Sequence, residues 1–153
     1  MSSEARPGTR RRYLGFFCCA LLCAGAAPGI CVLAADAPGG SDGWYTSDQA
    51  AHGHITFNSF CAECHRPDLK GALGPALVGD AFQSQWINKP LGDLFEFEHT
   101  KMPANNPGSV PDEKMWNITA YILQKNGFPV GATPLSAQSA TRTLATSQRL
   151  SSK

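Results

Sequence analysis

Beyond residue 35, this 153-residue chain has only two of its six cysteines, Cys61 and Cys64. If the first 35 residues are removed after synthesis, no structural disulfide is left. Charge is scarce: Asp, Glu, Lys and Arg make up 16% of the chain, and the net charge is +1. No basic patch is interleaved with aromatics, so nucleic-acid binding has no support. No internal repeat is apparent. The longest apolar stretch, residues 16–27, falls short of the roughly 20 residues a membrane-spanning helix needs.

That stretch reads as the core of an export signal. It follows Arg10, Arg11 and Arg12, and Val32-Leu33-Ala34-Ala35-Asp36-Ala37 places small residues for cleavage after Ala34, Ala35 or Ala37, with Ala35 preferred. The alternative is an uncleaved anchor, although Pro28-Gly29 interrupts the apolar run. Thr9-Arg10-Arg11-Arg12-Tyr13-Leu14 has the form of a twin-arginine signal, but the Arg run is read instead as an ordinary positive leader. Residues 36–44 are a Pro/Gly-rich leader segment, residues 45–130 a domain, and residues 131–153 a Ser/Thr/Ala-rich tail expected to be disordered. Four of the thirteen basic residues and one of the twelve acidic ones lie in 1–35, so the remainder carries a net −2.

The most informative five residues are Cys61-Ala62-Glu63-Cys64-His65, the C-x-x-C-H pattern of c-type haem attachment. Each thiol adds across one haem vinyl group. The two intervening residues let one helical turn present both sulfurs to the same porphyrin edge, and the following His lies under the iron. Half of a zinc site is the competing reading, but a structural zinc takes four ligands. One domain of this size without disulfides is marginal, and a buried cofactor would help it considerably.

Around the motif the chain reads as helices and turns. A helix is expected from Ser47-Asp48, an N-cap with an acidic first turn. Gly53, Phe57 and Cys61 then share one helical face. Gly53 costs helix stability unless something packs against its backbone, which points to a closely crossing helix. Gly74-Pro75-Ala76-Leu77 holds a loop whose carbonyl can accept the His65 Nδ1–H; taken alone, it is an ordinary Pro turn. A short helical turn spans residues 82–86. Pro90 opens a helix carrying Leu91, Leu94 and Phe95. A last helix runs from Pro111 or Asp112 to Asn126 and stops at Gly127. Met115, Ile118 and Ile122 form one stripe on it, and Trp116, Ala120 and Leu123 an adjacent one, so contacts on two sides are expected.

Met102 is the expected second ligand. It lies 37 residues beyond His65 on a Pro-bounded loop, a poor setting for a core Met. A thioether suits an electron carrier and raises its potential over bis-His ligation. His99 would instead give bis-His ligation, Met115 is a rival on an apolar helix face, and an open position is the remaining alternative. His52 and His54 are expected to face solvent.

Gly53-x3-Phe57-x3-Cys61-Ala-Glu-Cys64-His65, Gly74-Pro75-x-Leu77, Met102-Pro103 and Ala120-Tyr121-Ile122-Leu123 together resemble a class I cytochrome c. The runs Gly92-Asp93-Leu94-Phe95-Glu96, Pro107-Gly108-Ser109 and the stretch 120–129 are similar to the cytochrome c domains that serve bacterial quinoprotein alcohol dehydrogenases. The resemblance covers about residues 45–130. It implies an all-α fold of about three main helices around one covalently bound haem c. It implies covalent attachment at Cys61 and Cys64, axial His65 and Met102, a Pro75 carbonyl that orients His65, and Gly53 and Phe57 meeting Tyr121. Pro90 and Pro111 stand where that subgroup commonly has Thr or Ser caps. The large propeller domain of the fused dehydrogenases is absent from this sequence.

The function expected is one-electron transfer in the periplasm, not catalysis, with a quinoprotein dehydrogenase as donor and an oxidase or another cytochrome as acceptor. The alternatives are a dedicated subunit of a dehydrogenase complex, and a haem enzyme or gas sensor with an open distal site. Residues 42–130 hold six basic and ten acidic residues, so a neutral-to-basic partner surface is expected, with Glu96 and Glu98 contributing near the haem edge.

Overall fold

The computed structural model describes residues 43–145. The expected export signal, residues 36–42 of the leader and residues 146–153 of the tail lie outside them. The described chain is all-α. Its helices are α1 (Ser47–Phe60), α2 (Ala62–His65), α3 (Asp80–Trp86), α4 (Leu91–Lys101) and α5 (Asp112–Lys125), followed by a 3-10 turn at Ala137–Ser139. Two isolated bridges, Tyr45 with Val130 and Pro90 with Thr143, are the β pairing among the described residues.

Helix α1 is capped one residue earlier than its Ser-Asp pair suggests. The Thr46 hydroxyl accepts from the Gln49 N–H at 3.2 Å, and Asp48 supplies the acidic first turn. Helices α1 and α5 cross at Gly53. A Cβ there would stand 1.8 Å from the Asn117 carbonyl oxygen and 2.9 Å from Tyr121 Cβ. The helices touch where only a hydrogen separates them, which explains a glycine in mid-helix. Phe57, one turn on, packs its ring on Tyr121 at 5.5 Å. His52 and His54 are both exposed, and His54 stacks on the Tyr121 ring at 4.8 Å.

Helix α5 is buried on two sides. Met115, Ile118 and Ile122 line the large cavity described below, while Tyr121 faces α1. Its C-cap residue Asn126 donates through Nδ2 to the Leu77 carbonyl at 2.8 Å. That bond ties the end of α5 to the loop following the Cys-Cys-His motif.

Residues 131–145 are not the structureless tail that their composition suggests. Leu135 and Leu144 are 3% and 0% exposed. The Gln49 amide clamps the Leu135 backbone from both sides, accepting from its N–H at 2.7 Å and donating to its carbonyl at 2.9 Å. The Arg142 guanidinium lies 3.9 Å from the centre of the Trp44 ring and donates to the Gly43 carbonyl. Segment 131–145 is a strap on the helical body, held by backbone hydrogen bonds and two buried leucines. Composition misses it because most of its bonds use no particular side chain. The packed unit therefore extends past residue 130, and it also takes in Trp44, which is 1% exposed.

Candidate haem site

The last turn of α1 leads through Cys61 into α2, so Cys61, Cys64 and His65 fall on one short helical stretch. The chain then folds back on that stretch. The N–H groups of Gly71, Ala72 and Gly74 donate to the carbonyls of His65, Cys64 and Cys64 at 3.0, 3.1 and 3.0 Å. These bonds satisfy the otherwise open C-terminal carbonyls of α2 and bring Gly74-Pro75 against the imidazole. His65 is 7% exposed, and its Nδ1 lies 2.8 Å from the Pro75 carbonyl oxygen. A backbone carbonyl can only accept, so Nδ1 carries the hydrogen and Nε2 is left with its lone pair.

These residues open onto a cavity of about 470 Å³, within the roughly 300–1,000 Å³ range of ligand and cofactor sites. Cys61, Cys64, His65 and Met102 all line it, and its walls include Phe57, Leu77, Trp86, Leu94, Val110 and Ile118. Met102 follows the last residue of α4, is half-buried, and its peptide bond to Pro103 is cis. Met115 lines the same cavity from the buried face of α5, at 2% exposure. His99 does not line it. It stacks on Phe95 and bonds Asp112 at 3.0 Å through Nε2, which leaves it poorly placed as an axial ligand.

The site fits haem c. Two thiols stand at the wall of an apolar cavity large enough for a prosthetic group, beside an imidazole whose outer nitrogen is already bonded. Burial, with lesser contributions from Glu98 and Cys64, pushes the Cys61 thiol up to about 12, so the free side chain stays protonated. Among the described residues, no group of three or more His, Cys, Asp and Glu side chains is placed to hold a bare metal ion, so zinc finds no further ligands there. Nor is any described helix long and apolar enough to cross a membrane.

One residue of the cavity wall was misread from sequence. Glu98 is not a surface acid beside Glu96: it is 8% exposed and lines the cavity. Burial pushes its carboxyl up to about 8, although the Thr119 hydrogen bond acts in the opposite direction. The Thr119 hydroxyl lies 2.5 Å from Glu98 Oε2 and 2.9 Å from the Met115 carbonyl oxygen. A hydroxyl has one proton, so Thr119 donates to one of these two acceptors at a time. Gly74 also shapes the site, since its missing side chain is what lets the His65 ring lie where it does.

Residues 48–122 match the family described as cytochrome C oxidase, cbb3-type, subunit III. That segment runs from the first turn of α1 into α5 and contains the Cys-Cys-His motif and Met102. No curated protein matches the chain. Among solved structures, the sulfane dehydrogenase SoxCD from Paracoccus pantotrophus matches with a TM-score of 0.52 and 21% identity, over 70% of this chain. The present chain spans 62% of the length of that one. At this identity the likeness is one of fold.

Proposed function

We propose that this class I c-type cytochrome carries single electrons between redox proteins of the periplasm, holding one haem c through Cys61 and Cys64 with His65 and Met102 as axial ligands. The observation that supports this most is that one apolar cavity collects both motif thiols, the Pro75-bonded imidazole and the Met102 thioether. When bound, the haem supplies a ferrous–ferric couple. The chain's own residues do the rest. Cys61 and Cys64 tether the group. The Pro75 carbonyl fixes the His65 tautomer and orients Nε2 toward the iron position. Met102 supplies a soft thioether that raises the potential relative to a second imidazole. Phe57, Leu77, Leu94 and Ile118 exclude water from the cavity, which keeps the local dielectric low and the reorganisation small.

With His65 and Met102 both bound to the iron, no substrate would reach it, and the role would be transfer and not catalysis. Residues 1–35 serve as an export signal cleaved near Ala35. A quinoprotein dehydrogenase is the proposed donor and an oxidase or another cytochrome the acceptor. The second reading is a dedicated cytochrome subunit of a dehydrogenase complex, and the fold it shares with a chain of a sulfane dehydrogenase structure favours it.

The deciding experiment uses exported protein from a host that matures c-type cytochromes. Haem should survive acid–acetone extraction, the potentiometric titration should follow a one-electron curve, and the ferrous protein should not bind carbon monoxide. Carbon monoxide binding would replace the carrier with an open-site haem enzyme or gas sensor. Co-purification with a dehydrogenase subunit through several columns would favour the second reading.

A further inference from the structure

Helix α4 begins without a side-chain cap. Pro90 stands at its N-cap and offers no side-chain acceptor to the first-turn N–H groups. The strap supplies what Pro90 cannot. The Leu91 N–H donates to the Arg142 carbonyl and the Gly92 N–H to the Ala140 carbonyl, both at 2.8 Å. Immediately before the helix, the Asn88 N–H donates to the Leu144 carbonyl at 2.7 Å, and Leu144 returns a bond to the Lys89 carbonyl at 3.0 Å. Gly92 is small where the strap crosses it: a Cβ there would stand 3.2 Å from both Ala140 Cβ and the Ala140 carbonyl oxygen. Leu144, fully buried, anchors this end of the strap.

The other end of α4 matters to the cavity. Leu94, Phe97 and Glu98 line it, and the helix leads directly into Met102, whose N–H bonds the Glu98 carbonyl. The main packing partners of α4 are α5 and the 3-10 turn of the strap itself. With its first N–H groups bonded outside itself, α4 takes the position of that end from the strap.

We infer that strap residues 140–144 position α4 in place of a missing N-cap, and through α4 hold Met102 at the haem iron. Leu144 is the positioning residue that a substitution can reach, since the bonds themselves are backbone. The inference rests on Met102 being the axial ligand.

The test compares full-length holoprotein variants. Leu144→Asp should undock the strap, and Leu144→Ala gives a milder version if the first does not fold. Leu144→Ile should restore the parent behaviour. Ala51→Gly, at an exposed position of α1, serves as a control that weakens the fold through helix propensity alone. In the Leu144→Asp or Leu144→Ala protein, while the helical signal is still native, the weak long-wavelength ferric band of Met–iron ligation should be lost. The reduction potential should fall, and the ferrous form should gain carbon monoxide binding. Ala51→Gly should lower the melting temperature with band and potential unchanged.

In the parent protein, the Leu91 and Gly92 amides should be protected from hydrogen exchange. Unprotected amides there, or a Leu144 variant with an unchanged band and potential, would overturn the inference. Met102→Ala separates the two assignments. If it leaves the band intact, the ligand assignment fails, while the amide exchange and the potential of the Leu144 variants still decide the role of the strap.

Discussion

His65 and Gly74 lie so close that no Cβ fits between them: an atom built on Gly74 would stand 2.6 Å from His65 Cε1 and 2.9 Å from Nδ1. The same loop places the Pro75 carbonyl on Nδ1. Gly74 therefore provides room for the ring, and Pro75 provides its hydrogen-bond partner through the backbone. Gly74→Ala should force the ring or the loop to move and break the 2.8 Å bond, at a cost of about 1–3 kcal/mol for overpacking, with a high-spin fraction appearing in the ferric spectrum. Pro75→Ala keeps the carbonyl and should leave the spectrum unchanged. Chemical denaturation alongside absorption spectroscopy checks both. An unperturbed Gly74→Ala protein would mean that the loop yields without cost.

The crossing of α1 and α5 gives a second prediction. A Cβ on Gly53 would overlap the Asn117 carbonyl, so Gly53→Ala must push α1 and α5 apart. The loss should be about 3 kcal/mol or more, at the upper end of overpacking costs. It should far exceed the modest gain that alanine brings to a helix interior. The midpoint of guanidinium unfolding measures it.

Much of this was legible in the sequence for a physical reason. A glycine in mid-helix and a Cys-Cys-His pattern each carry a strong constraint in few residues. The strap and Glu98 were not legible, for opposite reasons. Segment 140–144 docks through backbone groups, and every sequence has those. Glu98 belongs to Glu96-Phe97-Glu98, which looks like a solvated turn of helix. Only the position of Thr119, 21 residues away, shows where a buried carboxyl finds a partner. His99 is a related case: beside a Met it reads as a rival ligand until Asp112 is seen to hold it outside the cavity.

Glu98 should give the protein a pH-dependent stability. Its carboxyl is raised from 4.5 to about 8 in the folded state, with burial the main cause. The folded protein then binds more protons than the unfolded chain between those values, so stability falls as pH rises. The contribution is fully present below the ordinary carboxylate value and is lost as pH passes through about 8. Glu98→Gln is always neutral and can still bond Thr119. Its denaturation midpoint should therefore stay flat relative to the parent, which should fall from pH 4.5 to 8 and level off above. Parallel curves for the two proteins across that range would show that Glu98 does not titrate there.

The burial of Glu98 also changes what a redox partner meets. Among the cavity-lining residues, Glu63 is the exposed acid, while Glu96 is exposed on α4 nearby in sequence but does not line the cavity. Residues 42–130 still carry ten acids against six bases, so long-range steering toward a neutral-to-basic docking face is expected, with less local charge at the cavity mouth. A transient electron-transfer contact buries little area, and its association rate follows long-range charge. The bimolecular rate with the proposed donor should fall as ionic strength rises, because salt screens the field over roughly 10 Å at 0.1 M. Glu63→Lys should lower the rate at low salt and flatten its salt dependence. Glu98→Gln should leave the salt dependence unchanged, since the buried acid is expected to be mostly neutral below pH 8. A rate that does not vary with salt would assign docking to the apolar rim, where Phe60, Leu73 and Phe97 are exposed at 40%, 82% and 39%. In that case Leu73→Asp, and not Glu63→Lys, should be the substitution that slows transfer.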